Sequence, residues 1–416
     1  MNVAATSTGT AAAGFLNADW FPRDVPAGTE TRNIVLRTGD NAATVGSLYT
    51  AGQRDTVVCI MHPREFMACH YLVPDILNAG AAAWSQSPRS VGNDQRLEHE
   101  TALIDVAVGQ QFLRQQGFKN VILLGNSGGA SLYSLYAQQS ALKPADRIAS
   151  TPAGRPTGLA DLDMPEVDGI VLVAPHPGQG LLLMGCIDPS VADETDPLSV
   201  DSSLDPLDQK NGYARGGASY SIEFASRYRE AQKARVARLD AWAHGLIKQR
   251  QVARRLSKEA PDPMLLRRAS HTPLMTIWRT DADLRSFDLK LDPSDRKFGT
   301  LWGRDPTVSN YGAVGFARVC TPEAWLSTWS GLSSNASLLK TAPSLTKPAL
   351  LVEYTGDVST FPTTLREIFS LIGSTEKEHF RARGDHHGRA LETDEEPGRY
   401  IAGRAIERWL RERFTS

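Results

Sequence analysis

Val121-Ile122-Leu123-Leu124-Gly125-Asn126-Ser127-Gly128-Gly129 is the stretch on which the reading of this chain turns. Its first four residues form a strand-length apolar run, and the segment behind it, Ala130 to Ala141, is predicted to be a helix. Strand, G-x-S-x-G, helix is the arrangement of a nucleophile elbow. The turn is too tight for side chains two positions to either side of the serine. It also strains the backbone so that the serine hydroxyl is lifted above the sheet. On this reading Ser127 is a covalent nucleophile. The plainer alternative is a helix N-cap serine in a glycine-rich turn. A chain with 34 glycines meets the bare pattern by chance, so the other catalytic parts have to be found as well.

Outward from the elbow, helical and strand patterns alternate. Asn33 to Arg37 and Ala43 to Tyr49 are predicted as a hairpin around Gly39-Asp40. Thr56-Val57-Val58-Cys59-Ile60-Met61, ending in His62-Pro63, suits a strand buried on both faces. Phe66 to Leu77 is predicted as a helix, Ala81 to Trp84 as a strand and Ser85 to Arg96 as a polar loop. Leu97 to Gln116 is an amphipathic helix stopped by Gly117. A loop rich in Pro, Gly and Asp spans 144–166, and Gly169 to Ala174 is a further buried strand. Beyond Pro175 the alternation stops. It returns at Ala349 to Tyr354, with a helix near Thr364 to Leu371, a strand at His379-Phe380-Arg381 and a terminal helix from Gly398 to Arg413. Strands alternating with helices predict an α/β protein: a mostly parallel central sheet with helices on both faces. The divisions expected are an N-terminal arm over 1–29, a core domain over 30–175 and 341–416, and a mainly helical insertion over 176–340.

Composition narrows the function classes. At 416 residues the chain has room for two domains, or for one with a large insertion. A net charge of −2 gives no overall pull toward nucleic acid or anionic membrane. Cys59, Cys69, Cys186 and Cys320 are scattered, with no C-x-x-C pair. No disulfide is implied, Cys59 reads as a buried inert thiol, and a cytoplasmic setting is expected. Met1 to Gly14 lacks the basic start and apolar core of a signal peptide. No apolar run reaches the roughly 20 residues that span a bilayer.

A serine nucleophile needs a base to take its proton and a carboxylate to orient that base. In elbow-type sites the chain order is Ser, acid, His. Ser127, Asp357 and His386 occur in that order. Asp357 follows the strand ending at Tyr354, on the rim where open α/β sheets carry their sites. His386 lies in Gly384-Asp385-His386-His387-Gly388, directly after the last strand. Asp161, Asp163, Glu353 and Asp385 compete for the acid role, and His387 competes for the base. The oxyanion calls for two backbone N–H donors, one from Gly128 and one from the loop after the third strand. That loop is His62-Pro63-Arg64-Glu65; Pro63 cannot donate, which leaves Arg64.

With these pieces in place the chain resembles the α/β-hydrolase superfamily, over roughly 30–175 and 345–416. The matching residues are His62-Pro63, Gly125 to Gly129, Gly356-Asp357 and Gly384-Asp385-His386. The departure is Pro63, where related enzymes often have glycine. The resemblance implies an α/β-hydrolase fold with a cap inserted after the sixth strand. It implies hydrolysis, most often of esters, with amides, thioesters and C–C bonds as variants and no cofactor. Trp325 to Ser330 is similar to segments of uncharacterised bacterial hydrolases of this type. The reading is a serine hydrolase acting on a carboxylic ester of a small or medium organic substrate. The alternatives are a C–C bond hydrolase, a lactonase or an amidase with the same residues, and a non-catalytic binding protein on this fold.

Other residues have weaker readings. His62 is expected to anchor the oxyanion turn, and Arg64 and Glu65 either reach the pocket or pair with each other. His62, Glu65, Asn126, Trp278 and Trp302 are candidate substrate contacts. The spacing of His62, His70 and His176 fits no metal motif, so no metal is expected. The nine Arg and Lys between Arg227 and Arg255 read as the solvated face of helices rather than a nucleic-acid surface. A homodimer joined through the insertion is conceivable from its length.

Overall fold

The computed structural model describes residues 23–89, 91–260 and 262–415. Most of the expected arm, 1–22, lies outside the described residues. β1 (Glu30–Arg37) and β2 (Ala43–Thr50) form the antiparallel hairpin, and β2 pairs antiparallel with β4 (Ala82–Ser87). The remaining pairings are parallel: β4 with β3 (Thr56–Met61), β3 with β5 (Asn120–Asn126), β5 with β6 (Gly169–Val173), β6 with β9 (Ala349–Tyr354) and β9 with β10 (Lys377–Ala382). The eight-stranded order β1-β2-β4-β3-β5-β6-β9-β10 is that of the α/β-hydrolase fold. β7 (Met275–Thr276) and β8 (Val319–Cys320) form a separate small ribbon.

The two-residue period of a strand sends alternate side chains to opposite faces, and here both faces are covered. Val57, Cys59, Leu123 and Leu351 meet α2 (His99–Gln115), α3 (Gly128–Ala141) and α11 (Pro362–Leu371). Val58, Ile60, Leu124 and Leu350 meet α1 (Val73–Asn78) and α12 (Gly398–Arg413). That is why these runs read as continuously apolar. Cys59 is fully buried, and burial pushes its thiol up to about 12. All four cysteines are free.

Two local expectations are corrected. The helix expected from Phe66 begins only at Val73, with Pro74 in its first turn, where a missing N–H costs nothing. The residues before it are held in turns by Tyr49 Oη, which donates to the Ala68 carbonyl, and by Ser85 Oγ, which donates to that of Met67. The strand expected to stop at Trp84 continues to Ser87, because its polar end is satisfied inside the protein. Gln86 Nε2, for example, donates to the Asp105 carbonyl at 2.5 Å.

Between β6 and β9 the chain leaves the sheet. The insertion carries α4 (Gln179–Cys186), the 38-residue α5 (Ile222–Glu259), α6 (Pro263–Ser270), α7 (Leu284–Phe287), α8 (Pro306–Tyr311) and α9 (Pro322–Ala324). A π-helical turn at Trp325–Trp329 and α10 (Leu338–Thr341) lead back to the sheet. The insertion has a core of its own, with Leu183, Val236, Leu239, Met275, Trp325 and Trp329. Its Asp-rich stretch is a chain of Asx turns. Asp188, Asp193, Asp196, Asp201, Asp205 and Asp208 each accept from the backbone N–H two residues on. The basic face expected of α5 is only partly solvated. Arg235 is fully buried, holding Glu194 with two bonds of 2.8 Å and the carbonyls of Asp188 and Trp278. Among the described residues no helix is long and apolar enough to cross a membrane.

Candidate active site

Ser127 occupies the turn between β5 and α3 with φ 55° and ψ −123°, a conformation that a non-glycine residue adopts only when its surroundings enforce it. The enforcement is visible. A Cβ at Gly125 would lie 2.5 Å from Ala130 Cα, and one at Gly129 would overlap the Met61 carbonyl oxygen. Ser127 N–H donates to Val173 O at 2.9 Å, which ties the turn to β6. The hydroxyl makes no capping bond to α3. It faces a ring nitrogen instead: His386 Nε2 is 3.0 Å from Ser127 Oγ.

His386 Nδ1 lies 2.7 Å from Asp357 Oδ2. Asp357 Oδ1 accepts from Ser359 N–H (2.7 Å), Ser359 Oγ (2.8 Å) and Thr360 N–H (3.1 Å). Both groups are buried. Burial alone would raise the carboxyl and lower the imidazole; the charge attraction and hydrogen bond between them outweigh it in each case. Asp357 is therefore held below the usual carboxylate range and His386 above the usual histidine value. Two of the competing acids, Glu353 and Asp385, are engaged elsewhere. Glu353 pairs with His379 and Arg381, and Asp385 accepts from the backbone of His387 and Arg389. His387 stands edge-on to His386 with ring centres 5.1 Å apart, and burial lowers it to about 3.

A cavity of about 180 Å³ opens over Ser127. Phe66, Met67, Leu301, Trp302 and Phe316 supply apolar wall, while Glu65, His387, Arg389 and Arg399 bring charge and polarity. The candidate contacts His62, Glu65, Asn126 and Trp302 all line it. Trp278 does not; its Nε1 donates to Glu194 O at 3.0 Å, inside the insertion. Asn126 is held from behind, with Oδ1 3.2 Å from His70 Nε2 and Nδ2 donating to Val173 O at 3.0 Å.

Arg64 needs a larger correction. Its N–H is not aimed at the cavity but donates to His62 Nδ1 at 3.1 Å, and the Glu65 N–H does the same at 3.2 Å. His62 thus anchors the turn as expected, and in doing so takes up the amide expected for the oxyanion. Nor does Arg64 pair with Glu65. Its guanidinium grips Asp94 at 2.6 and 2.5 Å and lies over the rings of Trp329 and Phe316.

Three residues at the site were not foreseen in this role: Ser359, Gln179 and His176, the last weighed only as a metal ligand. His176 stacks on His386 with centres 5.0 Å apart, and both its nitrogens lie 3.3–3.4 Å from Ser127 Oγ. Its Nε2 is 3.1 Å from Ser359 Oγ, which already donates to Asp357, so this contact is N–H to oxygen. Burial keeps His176 neutral, well below the usual histidine value. Gln179, the first residue of α4, covers Gly128 from the insertion side. His176 follows β6 as Asp357 follows β9, so the rim position was the available signal for it. Ser359 sits two residues after Asp357, the spacing of an Asx turn. Nothing in the local pattern singles out Gln179.

No protein-family model matches this chain, and no curated protein matches it. Among solved structures it is similar to DcsB in complex with its substrate analogue, at 14% identity and TM-score 0.49, over 93% of this chain and 100% of that one. It is also similar to the Pyrococcus furiosus esterase Pf2001, at 12% and 0.46 over 98% and 99%. The α/β hydrolase GrgF from Penicillium sp. sh18 is similar at 13% and 0.46 over 92% and 98%. The fold assignment itself rests on the strand order and pairing of this chain.

Proposed function

We propose that this protein is a serine hydrolase that cleaves a carboxylic ester of a small or medium organic substrate through an acyl-enzyme. The observation that carries the reading is the unbroken contact from Ser127 Oγ through His386 to Asp357, at 3.0 and 2.7 Å, on a serine held at φ 55°. His386 takes the Ser127 proton as Oγ adds to the substrate carbonyl, then gives it to the leaving alcohol. A water deprotonated by the same ring releases the acid. Asp357 holds the imidazole in the required tautomer and stabilises its charged form. The Gly128 N–H, first in α3 and without an intrahelical acceptor, is one donor to the developing oxyanion. The cavity of about 180 Å³ and its apolar wall favour a compact, partly apolar acyl or alcohol group.

The test is labelling with a fluorophosphonate beside a panel of p-nitrophenyl esters of rising acyl length. The expected result is stoichiometric labelling and turnover of short esters, both lost in Ser127→Ala. No labelling of the intact protein would leave a binding protein on a hydrolase fold. Labelling without ester turnover would redirect the assignment to amide, lactone or C–C substrates.

A further inference from the structure

Pro63 removes one amide from the usual oxyanion position, and the next amide, that of Arg64, is committed to His62. The same commitment determines the state of the ring. A nitrogen that accepts two backbone N–H groups carries no proton, so the neutral His62 imidazole has its hydrogen on Nε2. Burial, with only partial opposition from Glu65, lowers His62 to about 4, so the neutral form persists across the working pH range. The Nε2 end faces the elbow: a Cβ built on Gly128 would come within 2.7 Å of it. Among the described residues this N–H meets no acceptor.

A second donor converges from the insertion. Gln179 is 1% exposed, and neither its carboxamide nitrogen nor its oxygen has a hydrogen-bond partner. A buried amide left unsatisfied is destabilising, so such a group at a cavity wall points to a ligand that completes it. Its Nε2 sits 2.0 Å from where a Gly128 Cβ would be, so the carboxamide lies directly over the elbow. His176 cannot serve in the same way, because its Nε2–H is taken by Ser359.

We propose that side chains complete the oxyanion pocket of this protein: the substrate carbonyl oxygen is received by Gly128 N–H, by His62 Nε2–H and by the Gln179 carboxamide N–H. The inference rests on the serine-hydrolase reading above. As Ser127 Oγ bonds to the carbonyl carbon, the carbonyl π pair moves onto oxygen and the serine proton moves to His386 Nε2. His62 and Gln179 keep their protons and donate throughout. Collapse of the oxyanion expels the leaving group with the proton from His386. The insertion then does more than shape the pocket, since it supplies a donor to the transition state.

The experiment compares wild type, His62→Asn, Gln179→Met and the double variant on p-nitrophenyl acetate and its thiono analogue. Asn retains an oxygen that can accept the Arg64 N–H but lacks the distal N–H; Met retains the shape of Gln without a donor. In each single variant kcat falls by about 10²–10³-fold with KM little changed. Sulfur is a poor acceptor, so the wild-type preference for the oxo ester shrinks in both variants, which a purely structural role would not produce. The double variant loses less than the product of the two, as expected for donors sharing one oxygen. If His62→Asn fails to fold, Gln179→Met, which leaves the bonds of His62 Nδ1 to the Arg64 and Glu65 amides in place, carries the same comparison. A kcat within about threefold of wild type and an unchanged oxo/thiono ratio in the folded variants overturn the proposal, because losing a true oxyanion donor costs far more. Wild type that neither labels nor turns over any ester overturns the serine-hydrolase reading instead, and this inference with it.

Discussion

Ser127 and Gln179 line one cavity, and they are held there by different means. Ser127 belongs to the sheet. Its turn is framed by β3, β5 and β6, whose side chains are apolar and buried on both faces. Gln179 belongs to the insertion, where much of the interior is charged. Arg235 holds Glu194, and Asp283 is shared between Arg229 and Arg285. Burial would raise the Asp283 carboxyl, but the two guanidinium groups outweigh it and hold it well below the usual range. Apolar burial is non-directional and tolerates drift, so strand pairing has to provide the precision at Ser127. Buried ion pairs are directional and contribute little net stability, yet breaking one is costly. Arg229 of that network also donates to the Gly185 carbonyl at 2.8 Å, in the helix that begins at Gln179.

The largest effect expected on this comparison is at the sheet side. Ser127→Ala should lower kcat by on the order of 10⁴–10⁶-fold with no loss of thermal stability, measured on the best ester of the panel. A folded variant that keeps more than about a hundredth of the activity would break the sheet-side assignment.

Next comes a pair of core truncations. Trp409→Ala, in α12 against the sheet, and Trp325→Ala, in the core of the insertion, each remove a fully buried indole and should each cost about 3–5 kcal/mol. Denaturant unfolding followed by far-UV circular dichroism would separate them. Trp409→Ala should shift the main transition. Trp325→Ala should bring in an earlier partial transition, since its cluster is distinct from both sheet faces. A single shifted transition in both would mean that the two regions unfold as one unit.

A smaller effect is expected for Arg235→Met, about 1–3 kcal/mol, because Glu194 keeps partial access to water and is not stranded in the dry interior. KM should rise as the Glu194 loop loosens while fluorophosphonate labelling persists. An unchanged melting temperature would show that the buried pair does not hold the insertion.

The mildest probe is pH. On the proposed mechanism His386 has to be neutral to accept the serine proton, and its value is raised above 6.5 because the charge of Asp357 and the hydrogen bond to it outweigh burial. Protonation sets in as pH falls through that raised value, so kcat/KM should drop about tenfold per pH unit on the acid side of it. His62 and His70, lowered to about 4 by burial, add no inflection between pH 5 and 8. An acid limb centred below 6 would mean that the Asp357 contact does not govern the base.

Much of the sheet side was legible from residues in a row. The buried runs around Cys59, Leu123, Leu172 and Leu351 each announce a strand covered twice, and the elbow follows from the glycines flanking Ser127. Chain order then singles out Asp357 and His386, because each lies just past a strand end on the same rim. The insertion was legible only as an interruption. A buried arginine such as Arg235 looks like its solvated neighbours along α5, and Trp278 looks as capable of lining a pocket as Trp302.

The sequence by itself determined the strand-and-helix alternation, the strained serine and the order of its partners, since these depend on periodicity and on local steric limits within a few residues. Only the tertiary structure decided where the Arg64 amide goes, which ring nitrogen of His62 carries the proton, and that His176 and Gln179 enter the site. Each of those depends on groups brought together from distant parts of the chain. A hydrogen bond is won or lost over a few tenths of an ångström, which no spacing along the sequence encodes.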